Sequence, residues 1–418
     1  MKRDRMTHRE RFFAVLEGRP VDRLPFFPDI SDWYKARRTP AGEPQRFLTG
    51  ALIPDGIDFH QVQHDMPPEW ALWTYLDFYR NYDWGLPVHI YDWYQIQGHG
   101  YTLELTETQG SRTEGWHSMH GFMTHLDVSC VDTAKRFVTT GKRVTQSWKT
   151  PLGTLTSVKR MAADGSFAST KYMVETLEDL DVLEYIVTHT KVRADYEHIN
   201  SVLSQIGELG VADLAVWRSP FGRIVQDYVG IEQTAYWMYD HRQRMLDLLR
   251  LLEEQDLKFI ELAARSDARI VIISDHADDA LLSPRWYKEF CMPFYQKACQ
   301  ILHEHGKIVS THLDGNIFML LPLLKDTGFD LLDGCTPAPM TNYRPGDLAS
   351  ALGKGQCAYC GVPSTLFTQG LEDRAIIESA QEIYDALQDR LVLNVGDVLP
   401  PNGNMHQVIG LGEWSKNL

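Results

Sequence analysis

The chain has 418 residues, with 41 Lys and Arg set against 56 Asp and Glu, a formal charge of −15. That acidic balance argues against a nucleic-acid or anionic-membrane partner, and no apolar run approaches the ~18–20 residues of a membrane span. Met1–Arg5 leads into no apolar block of a secretory signal, and six cysteines fit a reduced, cytoplasmic setting better than a disulfide framework.

In chain order, Thr7-His-Arg-Glu10 reads as a capping box. It opens a helix that runs to Glu17 and stops at Gly18. Leu24-Pro-Phe-Phe27 follows as a first strand. Ten of the 25 residues from Trp70 to Tyr94 are aromatic, a block that would form either an apolar substrate cage or a satellite core. Trp84 and Trp93, with Trp217 further on, are the candidate substrate contacts. The segments 101–106, 143–149 and 153–158 alternate in the manner of antiparallel strands. Together these predict an aromatic-rich, partly β insertion over about residues 65–165. Residues 178–209 read as one long helical segment.

From residue 212 onward short apolar runs alternate with helices. Ala212–Trp217, Ala268–Ser274, Lys307–His312, Phe329–Asp333, Gly355–Cys360 and Leu391–Val395 have the near-continuous apolar character of strands buried on both faces. The helices 287–305, 317–325 and 372–387 lie between them. This alternation predicts an α/β fold of parallel βαβ units in a single domain, residues 1–418. No Gly-x-Gly-x-x-Gly turn opens any of the helices, so a dinucleotide fold has no support. The polar residues that end each strand favour a (β/α)8 TIM barrel, whose strand ends build one active-site face.

The candidate chemistry lies at those ends. His312 and Asp314 stand two residues apart where a strand runs out and point to one side. They can hold a divalent metal or act as base and orienting group; alternatively Asp314 caps the next helix. Asp397 sits in a stiff Gly396-Asp397…Pro400-Pro401 turn after the last strand. Asp275 and His276 head an acidic cluster that would act on a substrate, bind a metal or cap a helix. Arg218 is the best-placed cation for an anionic group, or half of a structural ion pair. Cys357 and Cys360, three apart in a strand, face opposite sides, so only Cys360 could reach the site. Cys335 is a further candidate soft ligand.

Several segments resemble one family. Thr7-His-Arg-Glu-Arg11, Leu16-Glu-Gly18 and Val21-Asp-Arg-Leu-Pro25 are similar to the opening of the uroporphyrinogen decarboxylase superfamily. So are Leu282-Ser-Pro-Arg-Trp-Tyr-Lys-Glu-Phe290, His312-x-Asp-Gly-Asn316 and Gly361-Val-Pro-Ser-Thr365. The resemblance implies the barrel, a small-molecule substrate and a homodimer. It also implies one of two chemistries.

The first is metal-free decarboxylation of uroporphyrinogen, which relies on arginines after the first strand. This chain has Pro28-Asp-Ile-Ser-Asp-Trp33 there, with Arg37 and Arg38 a few residues on. Two aspartates are the wrong sign for a polycarboxylate; Asp29 or Asp275 would instead stabilise a protonated intermediate of a less acidic substrate. The second is zinc-dependent methyl transfer from a corrinoid, with one His and two Cys as ligands. Here His312 is kept, and Asp314 and Asp397 stand where the cysteines would be. That set would still bind zinc and would also admit iron(II) or manganese. The chain has no Asp-x-His-x-x-Gly corrinoid motif, so the corrinoid would arrive on a partner protein. A non-catalytic binding subunit is the third reading. Metal-dependent methyl transfer leads.

Overall fold

In a computed structural model of the protein, the residues described are 5–38, 67–70, 73–108, 112–114, 137–139, 143–161 and 167–418. Seven strands form one sheet: β1 (Leu86–Ile90), β2 (Gly210–Val216), β3 (Ile270–Ile273), β4 (Ile308–His312), β5 (Leu331–Cys335), β6 (Cys357–Pro363) and β7 (Leu391–Gly396). They lie in chain order, and every pairing is parallel. The last six match the apolar runs read from the sequence. The reason is burial on both faces, which selects continuous Val, Ile and Leu.

The segment Leu24–Phe27 touches both edges of this curled sheet. Phe26 pairs in parallel with Leu393 of β7, and the Phe27 N–H donates to the Leu393 carbonyl at 2.9 Å. The Gly85 N–H, just ahead of β1, donates to the Phe26 carbonyl at 3.0 Å.

Side chains alternate between two cores, as a strand's period of two requires. Leu332, Ala358 and Leu393 pack outward in the large cluster shared with the helices. Val211, Ile270, Leu331, Cys357, Tyr359 and Val392 face the other way, onto Phe12 and Phe27. The helix α1 (His8–Leu16) supplies Phe12, Phe13 and Val15 to that inner floor. Thr7 and Glu10 form its capping box.

The floor helix is pinned by charge. Buried Arg11 donates from Nε to Asp22 Oδ1 at 2.6 Å, and the Arg5 and Met6 N–H groups donate to Asp22 Oδ2. Burial works against the Asp22 carboxylate, but Arg11 and the two N–H groups outweigh it and hold the carboxyl well below the usual range. Asp22→Asn should therefore cost about 3 kcal/mol, because it takes the carboxylate away from a buried guanidinium. A depressed carboxyl pKa gives stability that is present above the unfolded value of about 3.9 and is lost as pH falls. The gap between wild type and variant in urea unfolding should thus be constant from about pH 5 to 8 and close below about pH 4. A gap that widens in acid would refute this.

One expectation is corrected. The long helix over 178–209 is broken: helices Asp179–Thr188 and Tyr196–Ile206 flank a strand, Thr190–Ala194, which pairs antiparallel with Tyr94–Gly98. The first strand of the sheet, β1, lies inside the aromatic block. The antiparallel segments are present as a four-stranded sheet of Thr102–Thr108, Arg143–Thr150, Gly153–Met161 and Phe167–Lys171. Of the stretch 65–165, residues 65–66, 71–72, 109–111, 115–136, 140–142 and 162–165 lie outside the described residues, as do the side chains of Arg37 and Arg38. Among the described residues no helix is long and apolar enough to cross a membrane.

Candidate active site

The strand ends after β3, β4 and β7 bring four of the predicted residues together. His276 follows β3, His312 ends β4, Asp314 lies two residues beyond it, and Asp397 follows β7. The His276 Nδ1 lies 2.7 Å from Asp314 Oδ1. His312 Nε2 stands 3.7 Å from Asp314 Oδ2 and 3.6 Å from Asp397 Oδ1. The two imidazoles meet edge to face, 5.3 Å between centroids. Donor atoms of His276, His312 and Asp314 all lie within 4.8 Å of one another. Asp397 stands beside His312 but outside that set.

The protonation pattern follows from crowding. Burial favours neutral His312, but Asp397, Asp314 and Asp333 overcome it and raise the imidazole well above its ordinary value. Burial also opposes the Asp314 carboxylate; contacts from His276 and His312 outweigh it and keep the carboxyl ionised well below the usual range. Asp397 is pushed up to about 6 by burial, with His312 pulling the other way. His276 is lowered by burial against the pull of Asp314.

The loops that carry these groups are laced together. Asp278 Oδ2 accepts the Asn316 N–H at 3.1 Å, and the Asp279 N–H donates to the Asn316 carbonyl at 2.7 Å. Asp279 Oδ2 in turn accepts from Met319 N–H and from Asn342 Nδ2, both at 3.1 Å. A Cβ on Gly315 would meet the Ala277 carbonyl at 2.6 Å, so only glycine permits this approach.

The other predicted site residues have structural work. Asp275 is buried; its Oδ1 accepts the Ser219 N–H at 3.0 Å and its Oδ2 the Tyr295 hydroxyl at 2.6 Å. It ties the end of β3 to two helices. Asp275→Asn should lower stability by about 2 kcal/mol, the worth of hydrogen bonds to a charged group, while metal affinity stays at the wild-type value. Parallel denaturation and metal titration decide it, and a changed affinity at unchanged stability would return Asp275 to the site. Arg218 is likewise engaged: Nη1 donates to the Ser274 carbonyl at 2.9 Å, and Nε is 3.8 Å from Asp227 Oδ1. Asp29 caps a helix, accepting the Ser31 N–H at 2.7 Å.

The tryptophans are core. Trp84 stacks on Tyr82 and meets Phe26 edge-on. Trp93 and Trp217 sandwich Phe259, and the Arg223 guanidinium lies 5.0 Å over the Trp217 ring. Cys335 and Cys360 face the outer cluster, where burial raises both thiols; neither belongs to the donor group. Sequence reasoning also missed an inner polar layer. His89 of β1 is paired across the register with Asp213 of β2, Nδ1 to Oδ2 2.8 Å. They line, with Asp333, Ser310 and Tyr359, a cavity of about 10 Å³ beneath the site. A single polar residue inside an otherwise apolar strand, as at His89 and Asp213, was the available signal.

The model of the uroporphyrinogen decarboxylase (URO-D) family matches residues 158–416, well over half of the sequence. This chain belongs to the URO-D family. Among solved structures this URO-D member is similar to a methyltransferase from Methanosarcina mazei, with 14% identity, 99% of this chain and 98% of that chain covered, and a TM-score of 0.60. At that identity the likeness speaks for the fold. A B12-independent methionine synthase from Shewanella sp. W3-18-1 matches more loosely, at 11% identity and a TM-score of 0.42 over 62% of this chain and 72% of that one. No curated protein sequence matches this chain.

Proposed function

We propose that this URO-D family member is a methyl-transfer enzyme dependent on a divalent metal held by His276, His312 and Asp314, with the methyl group brought on a corrinoid carried by a partner protein. In this reading Leu24–Phe27 is the eighth stave of a closed (β/α)8 barrel, and the site sits at its carboxyl-end mouth. The observation that carries it is the convergence of two imidazoles and a carboxylate within 4.8 Å at the ends of neighbouring strands. That donor set fits zinc, and being free of thiolate it also fits iron(II) or manganese. A bound ion would polarise an oxygen or sulfur of a small substrate.

The chain's own groups do the rest. His276 and Asp314 fix each other's orientation through their 2.7 Å contact. Asp397, titrating near 6, can take or return a proton at a substrate atom next to His312. The decarboxylase reading has less support. Arg218 is engaged by Ser274 and Asp227, and a site rich in carboxylates repels a polycarboxylate.

Elemental analysis after chelation and reconstitution with zinc tests the reading. About one ion per chain in the wild type, absent from His312→Ala, is the expected result. Wild-type protein that takes up no zinc, iron(II) or manganese ends it.

A further inference from the structure

His312 has two ring nitrogens, and only one of them faces the other donors. Its Nε2 lies between Asp314 and Asp397, at 3.7 and 3.6 Å. Its Nδ1 points the opposite way, 3.6 Å from Asp333 Oδ2. Asp333 is buried in β5, directly across the β4–β5 register from His312. Its own rotamer is set by a backbone contact, because Oδ1 accepts the Gly334 N–H at 2.7 Å. The next residue completes the arrangement. Gly334 has φ +71°, and a Cβ there would stand 2.7 Å from both Nδ1 and Cε1 of His312. The imidazole therefore lies against a bare Cα, in a slot that any larger residue would fill.

From this geometry we infer that Asp333 and Gly334 form a positioning device for His312: the carboxylate holds the Nδ1–H, and the glycine slot fixes the plane of the ring, so that the Nε2 lone pair is aimed at the metal position. Asp333 is a positioning residue and touches neither ion nor substrate. The physical reason is general. A metal-bound imidazole whose second nitrogen donates to a carboxylate is locked in one tautomer, and losing that outer partner typically weakens the metal 10–100-fold. The 3.6 Å separation is only a few tenths of an ångström beyond a hydrogen bond. Two independent features, a carboxylate on one edge of the ring and a missing Cβ under its face, serve the same orientation.

The inference rests on the metal reading above, and the experiment separates the two. The full chain is titrated with cobalt(II) as a visible probe, in wild type, Asp333→Asn and Gly334→Ala. The His312 tautomer is read in parallel by nitrogen-15 NMR on metal-free, histidine-labelled protein, at a pH high enough to leave the imidazole neutral, with His312→Gln as the assignment control. Asp333→Asn keeps the shape and an acceptor for the Gly334 N–H. It should nevertheless bind cobalt 10–100-fold more weakly and shift the visible band, and its metal-free His312 should lose the single Nδ1–H form. Gly334→Ala should shift the band in the same way with Asp333 intact, because its methyl group must tilt the ring. Both variants, folded by circular dichroism, with wild-type affinity, band and tautomer would overturn the inference while leaving the metal reading standing. If even the wild type takes no cobalt, the metal reading falls. The tautomer comparison then decides whether Asp333 orients His312.

Discussion

His276→Ala should weaken divalent-metal binding by at least about 100-fold, a larger loss than outer partners of a ligand typically cause. Asp397→Asn should weaken it less, by about 10-fold. The order follows from position: His276 shares the 4.8 Å donor group with His312 and Asp314, whereas Asp397 meets only His312 among them, at 3.6 Å. Competition titrations against a chelator of known affinity measure both variants in one series. The opposite ranking would restore Asp397 as the third ligand, as the family pattern suggested, and make His276 an accessory of Asp314. Neither substitution should move the unfolding midpoint by much, since both side chains are partly exposed.

Gly361→Ala should unfold the protein or lower its Tm by about 10 °C or more. A Cβ at Gly361 would lie 2.1 Å from the backbone nitrogen of Gly396 and 2.2 Å from its Cα. Both atoms belong to β7, which is laddered to β6 along its whole length, so neither can withdraw without breaking the ladder. A penalty above about 4 kcal/mol is confined to a short list of mechanisms, and a backbone collision between paired strands is among the most severe. Thermal melts by circular dichroism settle the point; a variant within a few degrees of wild type would show that the strands part more easily than their pairing implies. Gly361 thus explains a residue that the family resemblance had picked out without a reason.

How much was legible depended on whether a segment's neighbours were local. The strands β2 to β7 could be read because burial on both faces writes itself as continuous apolar runs. β1 escaped because Leu-Pro-Val-His-Ile is short, contains a proline and sits inside an aromatic block that drew a different interpretation. The break at Thr190–Ala194 escaped for a related reason: five residues between two amphipathic helices join a strand only because Tyr94–Gly98 waits for them. At the site, residue identity was informative and partnership was not. His276, His312, Asp314 and Asp397 all stand out in the sequence as strand-end residues, yet the 2.7 Å pairing of His276 with Asp314 belongs to the fold. Asp275 and Arg218 looked equally functional in sequence. In the structure Asp275 contacts Ser219 and Tyr295, and Arg218 contacts Ser274 and Asp227. Trp84 and Trp93 went to the core because large aromatic surfaces are most stable when covered.

The lacing of the β3 and β4 loops bears on where the entropy of ion capture is settled. Asp278, Asp279 and Asn316 fasten the two backbones within two to three residues of His276 and Asp314, and Asn342 from the loop after β5 adds a bond to Asp279. On the metal reading proposed above, the ordering of those donors would accompany folding and be complete before any ion arrived. Uptake should behave as entry into a rigid cradle, with amide exchange in both loops the same before and after loading. Selectivity among divalent ions would then rest on the fixed spacing of the donors, since the loops have little freedom to close around a smaller ion.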